Sequence, residues 1–255
     1  SMSNAFRDCF NLTTITMPIS LTGVTTLISA FQNCYELGSV TFPTTLNSCT
    51  TIASIFQNCY SLTSVTMPTS MSACINFGAI FTNCYKMTSI TLPATVSASN
   101  TTYASAFQFC TSLKTITLPT TQQTSLTTFA SAFQYCGALT TINNLDKLGS
   151  LTATPLVTGD TNTFMNLETV LSFACSLSKL TLNGQSATNF SLLNSLRLTN
   201  ASTGQWTGTS PQINVSFTSL STAALNTLFA DMAAQGAVTS KTINITSATG
   251  AAGLT

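Results

Sequence analysis

The chain of 255 residues is 44% hydrophobic but only 5% charged; seven Lys and Arg against six Asp and Glu leave a formal charge of +1, and there is no His. That balance gives no electrostatic reason to expect nucleic acid or an anionic membrane surface as a partner, and without imidazole there are no Ser-His-Asp or Cys-His nucleophile arrangements and no His metal sites. No apolar run approaches the roughly 18 residues that a membrane-inserted helix needs, and no charged-then-apolar signal segment opens the chain.

A stretch running from Phe to Pro recurs from the start, at 6–18, 31–43, 56–68, 81–93 and 107–119, with a sixth copy from Phe133 that carries Leu145 in place of the Pro. Three residues after each Phe comes Cys (9, 34, 59, 84, 110, 136), then Leu or Met (12, 37, 62, 87, 113, 139), then Ile or Val (15, 40, 65, 90, 116, 142). A fixed register of this kind means one supersecondary unit stacked on itself. Phe to Pro is twelve residues in all five complete copies, whereas Pro to the next Phe is thirteen in three intervals and fourteen in two. The first half of the unit is therefore rigid and the second half holds the adjustable loop. Because the chain opens on Ser1, almost directly at a repeat anchor, it is expected to be trimmed from a longer protein.

Within each copy, alternation such as Ile15-Thr16-Met17, repeated at Val40/Phe42, Val65/Met67, Ile90/Leu92 and Ile116/Leu118, has the period of a short strand. Stacked side by side these strands make a parallel sheet. Pro18, Pro43, Pro68, Pro93 and Pro119 end them, since Pro lacks the N–H that a longer ladder would use. Upstream of Cys the spacing is helical: Leu27, Phe31, Cys34; Ile52, Phe56, Cys59; Phe77, Phe81, Cys84; Tyr103, Phe107, Cys110; Phe129, Phe133, Cys136. Offsets of four and three predict a one- to two-turn helix on the convex side of each coil, with Phe from successive coils forming a spine. Of nine cysteines, six hold one place in the repeat and are expected to be free thiols in a core ladder. Cys49 and Cys74 stack in the loop half, and Cys175 lies beyond the regular repeats.

The pattern AFxxCxxLxxIxLP, as in Ala106-Phe-Gln-Phe-Cys-Thr-Ser-Leu-Lys-Thr-Ile-Thr-Leu-Pro119, resembles the BspA-like class of leucine-rich repeats over residues 5 to about 145. The resemblance implies an α/β leucine-rich-repeat solenoid, curved and right-handed, with a parallel sheet on the concave face and short helices or turns on the convex face. The class occurs in bacterial surface adhesins, protist surface proteins and phage or phage-like proteins, and it brings no catalytic residues.

Two regions are expected: 1–145 as a six-coil array, and 146–255 as degenerate repeats with a C-terminal strand-helix-strand unit. In the second, 143–163 reads as a long loop; Phe164, Leu167 and Val170 echo one repeat, Cys175, Leu177, Leu180 and Leu182 another, and Leu193, Leu196 and Leu198 a plainer leucine-rich strand. Ile213, Val215 and Phe217 alternate as a strand; Ser221 then caps a helix with Leu225, Leu228, Phe229 and Met232 on its apolar side, ending near Gly236, before a strand at Ile243 and Ile245. The segments SLSTAALNTLFADM and KTINITSATG are similar to terminal leucine-rich units of phage fibre-like proteins.

The acidic residues Asp8, Glu36, Asp146, Asp160, Glu168 and Asp231 are dispersed, with no carboxylate pair at a catalytic spacing. Asp160-Thr-Asn162 begins like a calcium loop but lacks the later oxygen ligands, and no glycine-rich phosphate loop is present. The N-x-S/T triplets at Asn11, Asn100, Asn189, Asn200, Asn214 and Asn244 are expected by chance in so Ser/Thr-rich a chain. No enzyme activity, cofactor or metal is expected.

What remains is surface. The outward strand residues are Thr14/Thr16, Ser39/Thr41, Ser64/Thr66, Ser89/Thr91, Thr115/Thr117 and Thr141/Asn143, two files of uncharged hydroxyl or amide groups about 4.8 Å apart from coil to coil. Such a face suits hydrogen bonding to a neutral glycan or another cell-surface molecule; equally, a Thr-rich strand surface is simply soluble and β-favouring. The leading expectation is a non-enzymatic, extracellular recognition or adhesion module on a virion or cell surface. A spacer or assembly unit, whose partners are other virion or surface-layer subunits, is the alternative, and ice binding a remote third.

Overall fold

The computed structural model describes residues 1–144, 147, 172–175, 195–198, 213–214, 221–233 and 243–244. The predicted alternation forms three-residue strands at the expected places: β1 (Ser39–Thr41), β2 (Ser64–Thr66), β4 (Ser89–Thr91), β6 (Thr115–Thr117) and β7 (Thr141–Asn143), with two shorter strands, β3 (Ser70–Met71) and β5 (Thr95–Val96), in the loop half. The middle residues Val40, Ile90, Ile116 and Ile142 point into the core and are buried, and their neighbours point out. In the first copy Thr14 makes a single bridge to Ser39 and no strand forms.

All pairings are parallel and each residue meets its repeat equivalent. Ser39 lies against Ser64, Val40 against Val65 and Thr41 against Thr66, and the same holds for β4 against β6 and β6 against β7. The sheet β4-β6-β7 continues through β8 (Ser172–Cys175) to β9 (Ser195–Leu198), with Thr141 opposite Ser172. Successive coils also touch along two other lines. One is the file Thr26, Thr51, Asn76, Thr102 and Thr128; the other joins Thr45 to Ser70 and pairs β3 with β5.

The predicted convex-side helices do not form. At Leu27–Cys34, Ala30 N–H donates to Leu27 C=O, Gln32 to Ser29 and Cys34 to Phe31, each three residues back, while the alternate N–H groups of Leu27, Ser29, Phe31 and Asn33 donate to the next coil at Thr51, Ala53, Ile55 and Gln57. An α-helix would spend every N–H on its own i−4 carbonyl. Helices of one or two turns are marginal alone, and here the coil-to-coil bonds claim half of the donors, leaving a run of tight turns. Two residues per run take positive φ, Ser29 (53°) and Asn33 (64°), as the third position of a type II turn requires. Both geometries point Leu27, Phe31 and Cys34 inward, which is why the sequence spacing could not separate them.

The second positive-φ position is Asn in three coils (33, 58 and 83), the residue after Gly that best tolerates the left-handed region. Its side chain has a further use: Asn33 Nδ2 donates to Asp8 Oδ1 at 2.6 Å, Asn58 to Asn33 Oδ1 at 2.7 Å and Asn83 to Asn58 Oδ1 at 2.8 Å. Asp8, which can only accept when ionised, ends this amide ladder. Phe109 (φ 62°) and Tyr135 (φ 61°) occupy the position in the later coils, and their rings stack at 4.5 Å instead.

Inside, Phe6, Phe31, Phe56, Phe81, Phe107 and Phe133 stack with centroids 5.3, 5.4, 5.5, 5.9 and 5.6 Å apart. The five from Phe31 onward are fully buried. Each buried Cys of the ladder donates its thiol to the Phe carbonyl of the preceding coil: Cys34 to Phe6 at 3.1 Å, Cys59 to Phe31 at 3.1 Å, Cys84 to Phe56 at 3.2 Å, Cys110 to Phe81 at 3.1 Å and Cys136 to Phe107 at 2.9 Å. All eight described cysteines are free thiols, as expected, and only Cys9 is exposed. Beside the Phe spine, Asn100 and Gln123 are buried, with Asn100 Nδ2 donating to Gln123 Oε1 at 2.7 Å, and the fully buried Tyr103 hydroxyl has its pKa raised by desolvation first of all.

In the C-terminal part, α1 (Thr222–Ala233) starts as predicted at Ser221, whose Oγ accepts from Ala224 N–H at 3.2 Å. Leu225 is buried, and Phe229 packs against the core cluster. β10 (Ile213–Asn214) pairs in parallel with β11 (Ile243–Asn244). Of the expected 143–163 loop, Asn143 instead closes β7 and Asn144 and Lys147 are described; the rest of it, with the Asp160 segment, Phe164, Leu167, Val170, Leu177, Leu180, Leu182, Leu193, Val215, Phe217, Gly236 and Ile245, lies outside the described residues.

Two outcomes test this packing. Asn58→Ala should cost about 2–3 kcal/mol, from the left-handed backbone and two lost ladder bonds, and Asn58→Gly about 1 kcal/mol less, both read by urea unfolding. Burial raises the thiols of Cys34 from 9.0 to about 11 and of Cys74 and Cys136 to about 12. Below pH 9 these thiols are protonated folded or unfolded. Above it only the unfolded chain ionises, so stability should be flat to about pH 8 and fall from pH 9 upward. Among the described thiols, alkylation of the native protein at pH 8 should label Cys9 first.

Candidate functional site: the strand face

The strands place all twelve outward residues on one face. Thr14, Thr16, Ser39, Thr41, Ser64, Thr66, Ser89, Thr91 and Asn143 are exposed, and Thr115, Thr117 and Thr141 half-buried. Within this face Asn143 Nδ2 donates to Thr117 Oγ1 at 3.1 Å, and Thr141 meets the neighbouring Thr140 hydroxyl at 3.5 Å. The hydroxyls of Thr14, Thr16, Ser39, Thr41, Ser64, Thr66, Ser89, Thr91 and Thr115 have no intramolecular partner.

Some hydroxyls elsewhere on the coils behave differently. Thr50, Thr63, Thr69, Thr101, Thr120, Thr127 and Thr140 each donate to a backbone carbonyl of the preceding coil, at 2.9–3.1 Å. Thr82 does the same in the other direction, to Ser105 C=O at 2.6 Å. Other hydroxyls off the strand face, among them those of Thr13, Thr25, Thr44, Thr88, Thr95 and Thr111, have no intramolecular partner either; what sets the strand face apart is that its free hydroxyls stand in two regular files. None of these twelve residues of the face is ionisable, so they offer donors and acceptors without net charge.

The face also has a concavity. A cleft of about 370 Å³ lies between β2 and β4, bringing together four of the predicted residues, Ser64, Thr66, Ser89 and Thr91, over a floor that includes Val65, Met67 and Ile90. The other eight predicted residues do not line it. No charged residue lines it either. Among the described residues no group of three or more His, Cys, Asp or Glu side chains is placed to hold a metal ion, and no helix is long and apolar enough to cross a membrane.

Reading the sequence missed the cleft, because it comes from unmade backbone bonds and no residue type marks it. It also missed the outer aromatic file beside the amide ladder, although Phe10, Tyr35, Tyr60 and Tyr85 each directly follow a Cys in the repeat. Their rings stack at 5.0, 4.8 and 5.3 Å, face to face along the array. Within the file the faces of Tyr35 and Tyr60 are covered on both sides, while the end rings Phe10 and Tyr85 are exposed.

The chain is similar to a leucine-rich repeat protein of T. pallidum, 19% identical, with 52% of this chain and 68% of that chain covered and a TM-score of 0.31. It is also similar to one of Bacteroides ovatus, 15% identical, covering 76% of this chain and 68% of that chain with a TM-score of 0.25. A search of curated protein sequences finds no match. The BspA type leucine rich repeat region matches residues 29–169 in six copies, more than half of the sequence, and the chain belongs to that family.

Proposed function

We propose that the array is a non-enzymatic recognition and adhesion module, displayed extracellularly on a virion or cell surface, and that it binds a neutral glycan or similar envelope polymer. In this reading the coils form a curved right-handed solenoid with the strand face on its concave side. One observation carries the reading: nine strand-face hydroxyls have no partner within the chain and repeat from coil to coil in two uncharged files.

A regularly spaced, uncharged array of groups that both donate and accept matches the hydroxyls of a polysaccharide. The near-absence of charge favours the same partner class, since an acidic or basic polymer would call for complementary side chains. The family's repeat architecture gives such an array many equivalent contacts, so a weak interaction per coil sums along the polymer.

The test is a printed array of neutral oligosaccharides probed with the purified chain and with the triple variant Thr66→Val, Thr91→Val, Thr117→Val, which keeps the side-chain shape and removes the hydroxyls. Reproducible hits that the variant weakens by about tenfold or more, corresponding to about 1.4 kcal/mol, are expected. No hit above background, or hits that the variant leaves unchanged, would refute the proposal.

A further inference from the structure

At four of the five junctions between copies, one backbone bond recurs on the strand side. Gly38 N–H donates to Thr13 at 3.0 Å, Thr63 to Gly38 at 2.9 Å, Lys114 to Thr88 at 2.8 Å and Thr140 to Lys114 at 2.9 Å. The equivalent bond from Thr88 to Thr63 is not made. At the far end of the strands Phe42 N–H donates to Thr66 at 3.0 Å, Leu92 to Thr117 at 2.9 Å and Leu118 to Asn143 at 3.1 Å, but neither Met17 to Thr41 nor Met67 to Thr91 makes this bond, and only the junction from Met67 lacks both rungs. Correspondingly β2 and β4 belong to separate sheets. The break falls just before the repeat lengthens, Ser64 to Ser89 being 25 residues and Ser89 to Thr115 being 26.

The opening is local. The same two coils stay joined on the turn side, where Phe56 N–H donates to Ile80 at 3.0 Å and Asn58 to Thr82 at 2.9 Å, and beyond the strands, where Thr95 N–H donates to Thr69 at 3.3 Å and β3 pairs with β5. Val65 and Met67 are half-buried here, whereas Val40 and Phe42 of the preceding coil are buried. Two strand edges, each with backbone N–H and C=O groups that their repeat equivalents have paired, thus face each other across the cleft. Groups of this kind are costly to leave unpaired away from water and readily take up an external partner.

We propose that this cleft is the principal sugar subsite of the face, in which hydroxyls of a neutral saccharide bridge the open edges of β2 and β4, each accepting from an N–H on one strand and donating to a C=O on the other. The proposal rests on the glycan reading above and gives it a location. A hydroxyl suits the gap because a single oxygen both donates and accepts. An inserted peptide strand would have to hold its neighbours about 9.6 Å apart, twice the usual spacing, and the coils are bonded to each other on both sides of these three-residue strands. The free hydroxyls of Ser64, Thr66, Ser89 and Thr91 border the slot and complete a neutral lining. Bridging also closes this open junction, so bound sugar staples the third and fourth coils.

The test applies the full chain to the same printed panel of neutral oligosaccharides. Ser89→Leu puts an apolar side chain into the cleft, and Ser48→Leu makes the same change at an exposed position in the loop half of the second coil, off the strand face. Hits should fall by about tenfold or more with Ser89→Leu and stay within about twofold with Ser48→Leu. Ala94→Leu, on the cleft wall, serves in place of Ser89→Leu if that variant does not fold. In the free protein, the amides of Met67 and Thr88 should exchange with solvent faster than those of Phe42 and Thr63, and an oligosaccharide retained by the panel should slow them. Equal losses in the two Leu variants, or no loss in either, would overturn the subsite while leaving a glycan-binding face standing. Exchange at Met67 and Thr88 as slow as at Phe42 and Thr63 in the free protein would overturn it on structural grounds. A panel with no hits at all would overturn the glycan reading and the subsite together.

Discussion

Every layer of this fold depends on like meeting like one coil away. Parallel pairing in register places each side chain against its own equivalent, so a residue is useful here only if it stacks well on a copy of itself. Phe does, by offset ring contact at 5.3–5.9 Å. Asn does, because its amide carries a donor and an acceptor and can pass a hydrogen bond along the array. Cys fits for a different reason: it is small and apolar enough for a fully buried site, yet its S–H reaches the Phe carbonyl of the coil before. That carbonyl already accepts the N–H of its own turn, as in Cys59 to Phe31's equivalent Phe56, and the thiol uses its second lone pair. Charged residues stack badly on copies of themselves, and this accounts for their scarcity along the files.

Much of this was legible in the chain because stacking repeats each constraint five or six times. The Phe, Cys, Leu and Ile files, the three-residue strands and the free thiols follow from identity at fixed spacing. The Phe–Cys side of each coil was misread because an inward pattern at offsets of four and three fits both a short helix and a run of tight turns, and the deciding quantity, where alternate N–H groups donate, leaves no mark on hydrophobic spacing. A signal was present all the same: Asn before Cys at 33, 58 and 83, and Asp8 in the first copy, is the residue choice of a left-handed turn position. Of the candidate site, the two files of outward hydroxyls could be placed from alternation alone. The cleft could not, since Ser64–Thr66 and Ser89–Thr91 differ from their paired neighbours by no residue type that disfavours pairing.

The placement of hydroxyls links fold to function. At several loop positions Thr is a strut, its hydroxyl doubling a backbone bond to the previous coil, as at Thr63, where N–H and Oγ1 both reach Gly38 C=O. On the strand face the outward side chains stand away from the sheet, and their hydroxyls reach no carbonyl. The side chains there are free by construction, and the repeat presents them in straight files. A recognition surface of this kind costs the fold little, since exchanging Ser for Thr or Asn along the face leaves the core untouched.

If stacking on neighbours is what stabilises each coil, the same truncation must cost different amounts at different places in the array. Phe81 is fully buried between Phe56 and Phe107, whereas Phe6 is only partly buried and stacks on Phe31 alone. Urea unfolding of Phe81→Ala should show a loss of roughly 3–5 kcal/mol, and Phe6→Ala clearly less, about half or below, because nearest-neighbour contacts carry each repeat's stability. Equal losses at the two positions would contradict the account of a chain held together coil by coil.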